Sequence, residues 1–233
     1  MTAIATVLDQ SIEQISRRRA ESTTRQTSSE TPGERKTCPV CKGSGWKIGV
    51  DKDGYEVCKK CDCGILRKNI CETRRESSGL PDKYKSARLS RFSLDVYRQD
   101  GSKELIDFTY AFIQCWLRDF EEMEQKGMGL YLFSGTPGSG KTFMAACLAN
   151  ELIQENGKRV RFATSMDIIE EIKRSWDFSS GYSESMVLQE LTDTDILIID
   201  DFGVEQPKNW IAERFYQVIN SRYAMRKITI ITS

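Results

Sequence analysis

Histidine is absent from the chain's 233 residues. That excludes every catalyst built on imidazole and every zinc site that needs a histidine ligand. Long apolar runs are missing too, and none approaches the ~20 residues that span a bilayer. Met1–Leu8 lacks a basic lead and is soon interrupted by Asp9 and Glu13, so it does not read as a secretory signal. Neither a membrane protein nor a secreted one is expected, and the location expected is the cytoplasm. Net charge is the last absence, with Lys+Arg 34 against Asp+Glu 34. The balance is uneven along the chain: residues 1–100 hold 20 basic and 14 acidic side chains, and residues 101–233 hold 14 and 20. A basic front suits an anionic partner, although a surplus of this size also falls within ordinary scatter.

Four segments follow from composition and periodicity. Residues 1–36 open with Ile4, Val7, Leu8, Ile12 and Ile15 at helical spacing and continue into a Ser/Thr/Arg/Glu-rich linker. Residues 37–72 form a cysteine-rich module. Residues 73–102 are a polar, basic connector. Residues 103–233 alternate apolar runs with helical stretches, which predicts an α/β fold with a parallel sheet. A helix is expected over about 102–125, with strands near Leu130–Ser134, Val160–Thr164, Ile196–Asp200 and Ile228–Thr232.

The strand-like Gly129–Ser134 runs into Gly135-Thr136-Pro137-Gly138-Ser139-Gly140-Lys141-Thr142, and a helical stretch follows. This is the phosphate-binding loop in its strand–loop–helix setting. Glycines let successive backbone N–H groups converge on phosphate oxygens, and the helix behind points its positive end at them. Lys141 would neutralise the phosphates of ATP, and the Thr142 hydroxyl would coordinate Mg²⁺. Downstream, Asp195-Ile-Leu-Ile-Ile-Asp200-Asp201 delivers two carboxylates to the end of an apolar strand, the edge at which parallel sheets bind ligands. There Asp200 would hold Mg²⁺, and Asp201 would polarise the water that attacks the γ-phosphate.

Six of the eight cysteines fall between Cys38 and Cys71. Reduced thiols are the norm in a cytosolic ATPase, so paired C-x-x-C knuckles favour Zn²⁺ over disulfides, with an iron–sulfur cluster as a further possibility. Spacing alone selects Cys38, Cys41, Cys58 and Cys61. Around Lys173, Arg174, Trp176, Phe178 and Tyr182, cations and aromatics interleave, a pattern that holds single-stranded nucleic acid by phosphate contact and base stacking. The same aromatics would also serve as core at a helix end.

Tyr131–Asn150, Arg159–Trp176, Thr192–Gly203 and Trp210–Ser233 resemble the AAA+ ATPases. Within them they resemble the helicase loaders of the DnaC/DnaI type and the related IstB-type transposase helpers. The resemblance implies a P-loop AAA+ core behind a small zinc-binding module, with ATP, Mg²⁺ and Zn²⁺ as cofactors. It implies Cys38, Cys41, Cys61 and Cys63 as the zinc ligands, with Cys58 as the substitute. It places a single-strand DNA contact at Lys173, Arg174 and Trp176. The partners implied are a replicative DNA helicase, single-stranded DNA and further copies of the chain. A transposase helper, a zinc adaptor with a vestigial ATPase and a P-loop small-molecule kinase are the alternatives. The resemblance also implies a sheet ordered 5-1-4-3-2, with a fifth strand, an arginine finger and a helical lid beyond the fourth strand. Their positions lie past Ser233, so a chain truncated after the fourth strand is expected to hydrolyse ATP weakly. Asp201 stands where many AAA+ proteins carry glutamate, one methylene longer.

Overall fold

The computed structural model describes residues 38–99, 103–177, 181–204 and 208–233. The helical stripe and linker expected over residues 1–36 lie outside the described residues, as does Phe178. The described residues open on an antiparallel hairpin of β1 (Trp46–Val50) and β2 (Glu56–Lys60). Its turn is fixed by the Asp51 carboxylate, which accepts from the backbone N–H of Asp53 (3.0 Å) and Tyr55 (2.9 Å). Helix α1 (Ile65–Glu76) follows. The hairpin itself has no apolar core, because Cys41 and Gly45 are the buried residues between 38 and 63.

Four parallel strands carry the rest of the chain: β3 (Leu130–Leu132), β4 (Val160–Thr164), β5 (Ile196–Asp200) and β6 (Ile228–Thr232). Their spatial order is β3-β6-β5-β4, which is the 1-4-3-2 part of the expected order. Strand β3 is shorter than the expected 130–134 because its register with β6 ends at Leu132 opposite Thr232. Backbone bonds still carry the chain onward, from Ser134 N–H to Ser233 O (3.2 Å) and from Ser233 N–H to Leu132 O (3.1 Å). Alternation along the strands splits the interior into two layers. Ile196, Ile198, Ile228 and Ile230 face one core, and Leu197 and Ile199 face the other.

The first core is built on α4 (Lys141–Gln154), in which Ala145 to Ala149, Leu152 and Ile153 are wholly buried. A helix buried on nearly every side shows little amphipathic periodicity, and this one is held by what surrounds it. The helix expected over 102–125 is two helices, α2 (Lys103–Arg118) and α3 (Phe120–Lys126). The break at Asp119 turns Phe120 edge-on to Trp116, with ring centroids 5.5 Å apart. The second core is closed by α5 (Ser165–Arg174), α6 (Glu184–Asp193) and α7 (Asn209–Ala224). Inside it Arg222, fully buried, donates to the carbonyls of Leu191, Thr192, Thr194, Asp195 and Ile228. It thereby ties the end of α6 to the entry of β5 and to β6.

Residues 73–102, expected as a polar connector, lie over this frame where they are described. Leu80, Ala87 and Leu89 join the first core, and Ser78 O accepts from Phe162 N–H at 2.6 Å. That bond covers part of the exposed edge of β4. Helix α1 docks on the carboxyl end of α4. Arg67 donates to Gln154 O (2.8 Å), Arg74 to Gly157 O, and Arg75 to the buried Asn150 side chain (3.1 Å). Cations are favoured at that end of a helix because its last carbonyls lack partners.

Candidate functional site

The carboxyl edge of the sheet gathers the phosphate loop, the acid pair and the end of β6. Gly140, in the left-handed region at φ 83°, stands at the N-cap of α4 and offers no side chain to cap it. The first amides of α4 are therefore left for another acceptor. Lys141 folds back over the loop, its ammonium donating to Ser134 O (3.2 Å) and to the Ser139 hydroxyl (3.4 Å). At the loop's entry Thr136 N–H donates to the Ser134 hydroxyl (3.2 Å). Gly135, Pro137 and Gly138 complete the turn to Ser139.

Asp200 closes β5 and is 2% exposed. Its carboxylate accepts from the Thr232 hydroxyl at 2.6 Å, and the Thr142 hydroxyl lies close enough to favour its charged form. Burial raises its pKa, the Thr232 bond lowers it, and the charge of Asp201 raises it further, with a net upward shift. The two residues read from sequence as Mg²⁺ ligands, Thr142 and Asp200, are thus neighbours at this edge. Asp201 is exposed and adopts φ 52°, a conformation that costs a non-glycine residue roughly 1–3 kcal/mol. It is held there by its N–H donating to the Thr232 hydroxyl (2.9 Å) and by its carbonyl accepting from Ser165 (2.9 Å).

Thr232 is a residue that sequence reasoning missed, since a threonine ending a strand carries no motif. Its one buried hydroxyl serves both acids. Thr232→Val keeps the shape but strips Asp200 and the Asp201 amide of a partner. The expected result is a loss of about 1–3 kcal/mol in chemical denaturation, together with weaker Mg²⁺-dependent nucleotide binding. Unchanged values for both would show that the bridge contributes nothing.

At the other end of the described chain, the sulfurs of Cys38, Cys41, Cys61 and Cys63 all lie within 4.8 Å of one another. Cys38 and Cys61 are 3.8 Å apart, and Cys41 and Cys63 are 3.6 Å apart. A tetrahedral zinc with Zn–S near 2.3 Å needs sulfurs about 3.8 Å apart, so the donor set fits that ion. The knuckle closes because Gly45 has no side chain: a Cβ there would meet that of Leu66 on α1 at 2.7 Å. Backbone N–H groups of Cys41 and Val40 pull the Cys38 thiol down to about 7. The Ile65 amide lowers Cys63, but burial and the facing sulfurs of Cys61, Cys41 and Cys38 push it up to about 12. Sulfurs crowded in this way share negative charge readily only around a cation. Cys58 stands outside the group, exposed on β2 opposite Ile48. Cys71 and Cys147 are buried in the first core, and Cys115 is half-buried on α2.

Lys173 and Arg174 end α5 on the surface, Arg174 facing Glu170 at 3.9 Å. Trp176, 49% exposed, packs edge-on against Trp210 with centroids 5.0 Å apart and donates its indole N–H to Glu184 at 2.7 Å. Tyr182 donates to Glu190 (2.7 Å). The indole is therefore held by Trp210 and Glu184 and still half exposed.

Loop, acid pair and strand order define a P-loop ATPase core of the AAA+ class. The family of IstB-like ATP binding proteins matches residues 124–233. The replicative helicase loader DnaC of Buchnera aphidicola subsp. Baizongia pistaciae is 25% identical over 168 residues, 71% of this chain and 63% of its own length. DnaC of Escherichia coli K12 is 32% identical over 112 residues, 48% of this chain and 45% of its own. The crystal structure of a DnaC helicase loader superposes with a TM-score of 0.55 at 25% identity, covering 66% of this chain and 79% of that one. The chain is thus similar to the DnaC/IstB-type AAA+ ATPases, the IstB-like match covering a little under half of it. Its matches span less than two thirds of the length of these two DnaC relatives.

Proposed function

We propose that this chain binds ATP with Mg²⁺ and uses the nucleotide state to deliver a replicative DNA helicase to single-stranded DNA in the cytoplasm. The observation that carries the nucleotide half is the Thr142–Asp200–Thr232 cluster beside Lys141 at one sheet edge. Lys141 neutralises phosphate charge, Thr142 and Asp200 hold Mg²⁺, and Asp201 polarises the attacking water. The loader half is supported by similarity to DnaC proteins. Cys38, Cys41, Cys61 and Cys63 would hold Zn²⁺, which supplies cross-links to a hairpin without a core. Among the described residues no helix is long and apolar enough to cross a membrane. A transposase helper is the second reading, favoured by the IstB-like match over residues 124–233.

The test is a reconstitution: purified chain, a replicative helicase and a DNA single strand, with and without Mg²⁺-ATP. Nucleotide-dependent transfer of helicase to the strand is expected, and transfer indifferent to the chain and to nucleotide would refute the proposal. Lys173, Arg174 and Trp176 form the proposed strand contact. Trp176→Ala is expected to weaken single-strand binding by roughly 1–3 kcal/mol if its exposed ring stacks a base. Unchanged affinity in the folded variant would leave Trp176 as packing for Trp210.

A further inference from the structure

We infer that Tyr97 is a positioning residue that orients the phosphate loop from outside it, through the Ser139–Gly140 peptide. The Tyr97 hydroxyl donates to Ser139 O at 2.8 Å, across 42 residues of sequence. The chain has no cis peptide bonds among its described residues, so the carbonyl of Ser139 and the N–H of Gly140 point in opposite directions. A carbonyl anchored toward Tyr97 thus sends the Gly140 amide away from it. Amides of this loop act by converging on phosphate, so the direction of each one matters to the anion.

The phenol is well placed for the task. Its ring stacks on Phe92 with centroids 5.8 Å apart and planes 7° from parallel. Phe92 in turn contacts Tyr110 of α2 at 6.0 Å and Phe143 of α4 at 6.2 Å. Tyr110 is anchored by its own hydroxyl, which donates to Leu89 O (3.0 Å). An aromatic set drawn from the connector, α2 and α4 therefore limits where the Tyr97 hydroxyl can go. Gly140 completes the fit. A Cβ there would lie 2.5 Å from the Tyr97 oxygen, so the glycine is required by this close approach as well as by its backbone angle. Burial also raises the phenol's pKa, which keeps it a proton donor.

This inference rests on the nucleotide-binding reading of the loop, and the experiment separates the two. Mg²⁺-ADP is titrated calorimetrically into the full chain, Tyr97→Phe and Lys141→Ala, and the unfolding midpoint of each nucleotide-free protein is recorded. Tyr97→Phe retains the ring and its stacking and loses only the hydroxyl. It is expected to bind ADP about three- to tenfold more weakly, the loss of one hydrogen bond, with cooperative unfolding retained and a midpoint shift no larger than that bond explains. Wild-type affinity in Tyr97→Phe would overturn the latch. Loss of cooperative unfolding in nucleotide-free Tyr97→Phe would overturn it too, making Tyr97 a packing residue. Failure of the unaltered chain to bind ADP would instead strike the reading of the loop itself.

Discussion

Replacing Lys141 by alanine is expected to abolish ATP binding while leaving the chain folded. The ammonium is the one cation of the 135–142 loop and is held over it by Ser134 O and the Ser139 hydroxyl. Its removal leaves phosphate charge facing backbone dipoles alone. Losing one partner of a charge pair in such a site costs roughly 3–5 kcal/mol, or about two to four orders of magnitude in affinity. The fold should tolerate the change, because the wholly buried residues of α4 begin at Ala145, beyond the loop. Calorimetric titration with Mg²⁺-ATP checks the first point and circular dichroism the second. Near-wild-type affinity would remove the phosphate role from Lys141.

Metal removal is expected to have the other large effect. The chain should carry about one zinc, lost in Cys38→Ser and Cys61→Ser and retained in Cys58→Ser. The hairpin leaves Trp46, Ile48, Val50 and Tyr55 exposed and has no core to hold it once the cross-links go. Structural zinc sites of this kind contribute about 10–16 kcal/mol of folding energy in small modules. Loss of metal should therefore unfold residues 38–63. Helix α1 should stay docked, since Arg67, Cys71, Arg74 and Arg75 are anchored on α4 and the residues just beyond it, independently of the sulfurs. ATP binding should survive in consequence. Metal analysis with limited proteolysis tests this, and full zinc in both the Cys38 and Cys61 variants would contradict the proposed ligand set.

Local patterns made much of this legible in the sequence. Three of the four core strands fall at their expected bounds because each is a short, mostly apolar stretch ended by a polar residue. The phosphate loop reads from eight consecutive residues. The cysteines show where legibility ends. Spacing prefers Cys58 to Cys63, yet Cys58 lies inside the β1–β2 ladder, while Cys61 and Cys63 follow the strand's end and can turn back toward the knuckle. The connector hid its role for a related reason. Leu80, Ala87 and Leu89 are spaced irregularly among basic residues, so no period marks them as core. Thr232 and Tyr97 were illegible because each acts across more than thirty residues through one hydroxyl. Such a bond depends on sheet register or turn geometry, and a hydroxyl in a sequence names no partner.

The loader assignment is tested most directly by asking what the chain captures. Tagged full chain, charged with Mg²⁺-ATP, is passed through a bacterial lysate, and the retained proteins are identified by mass spectrometry. A replicative helicase is the expected capture, lost when Lys141→Ala replaces the wild-type chain. A transposase retained in its place, with no helicase, would contradict the account and assign the chain to the helper branch.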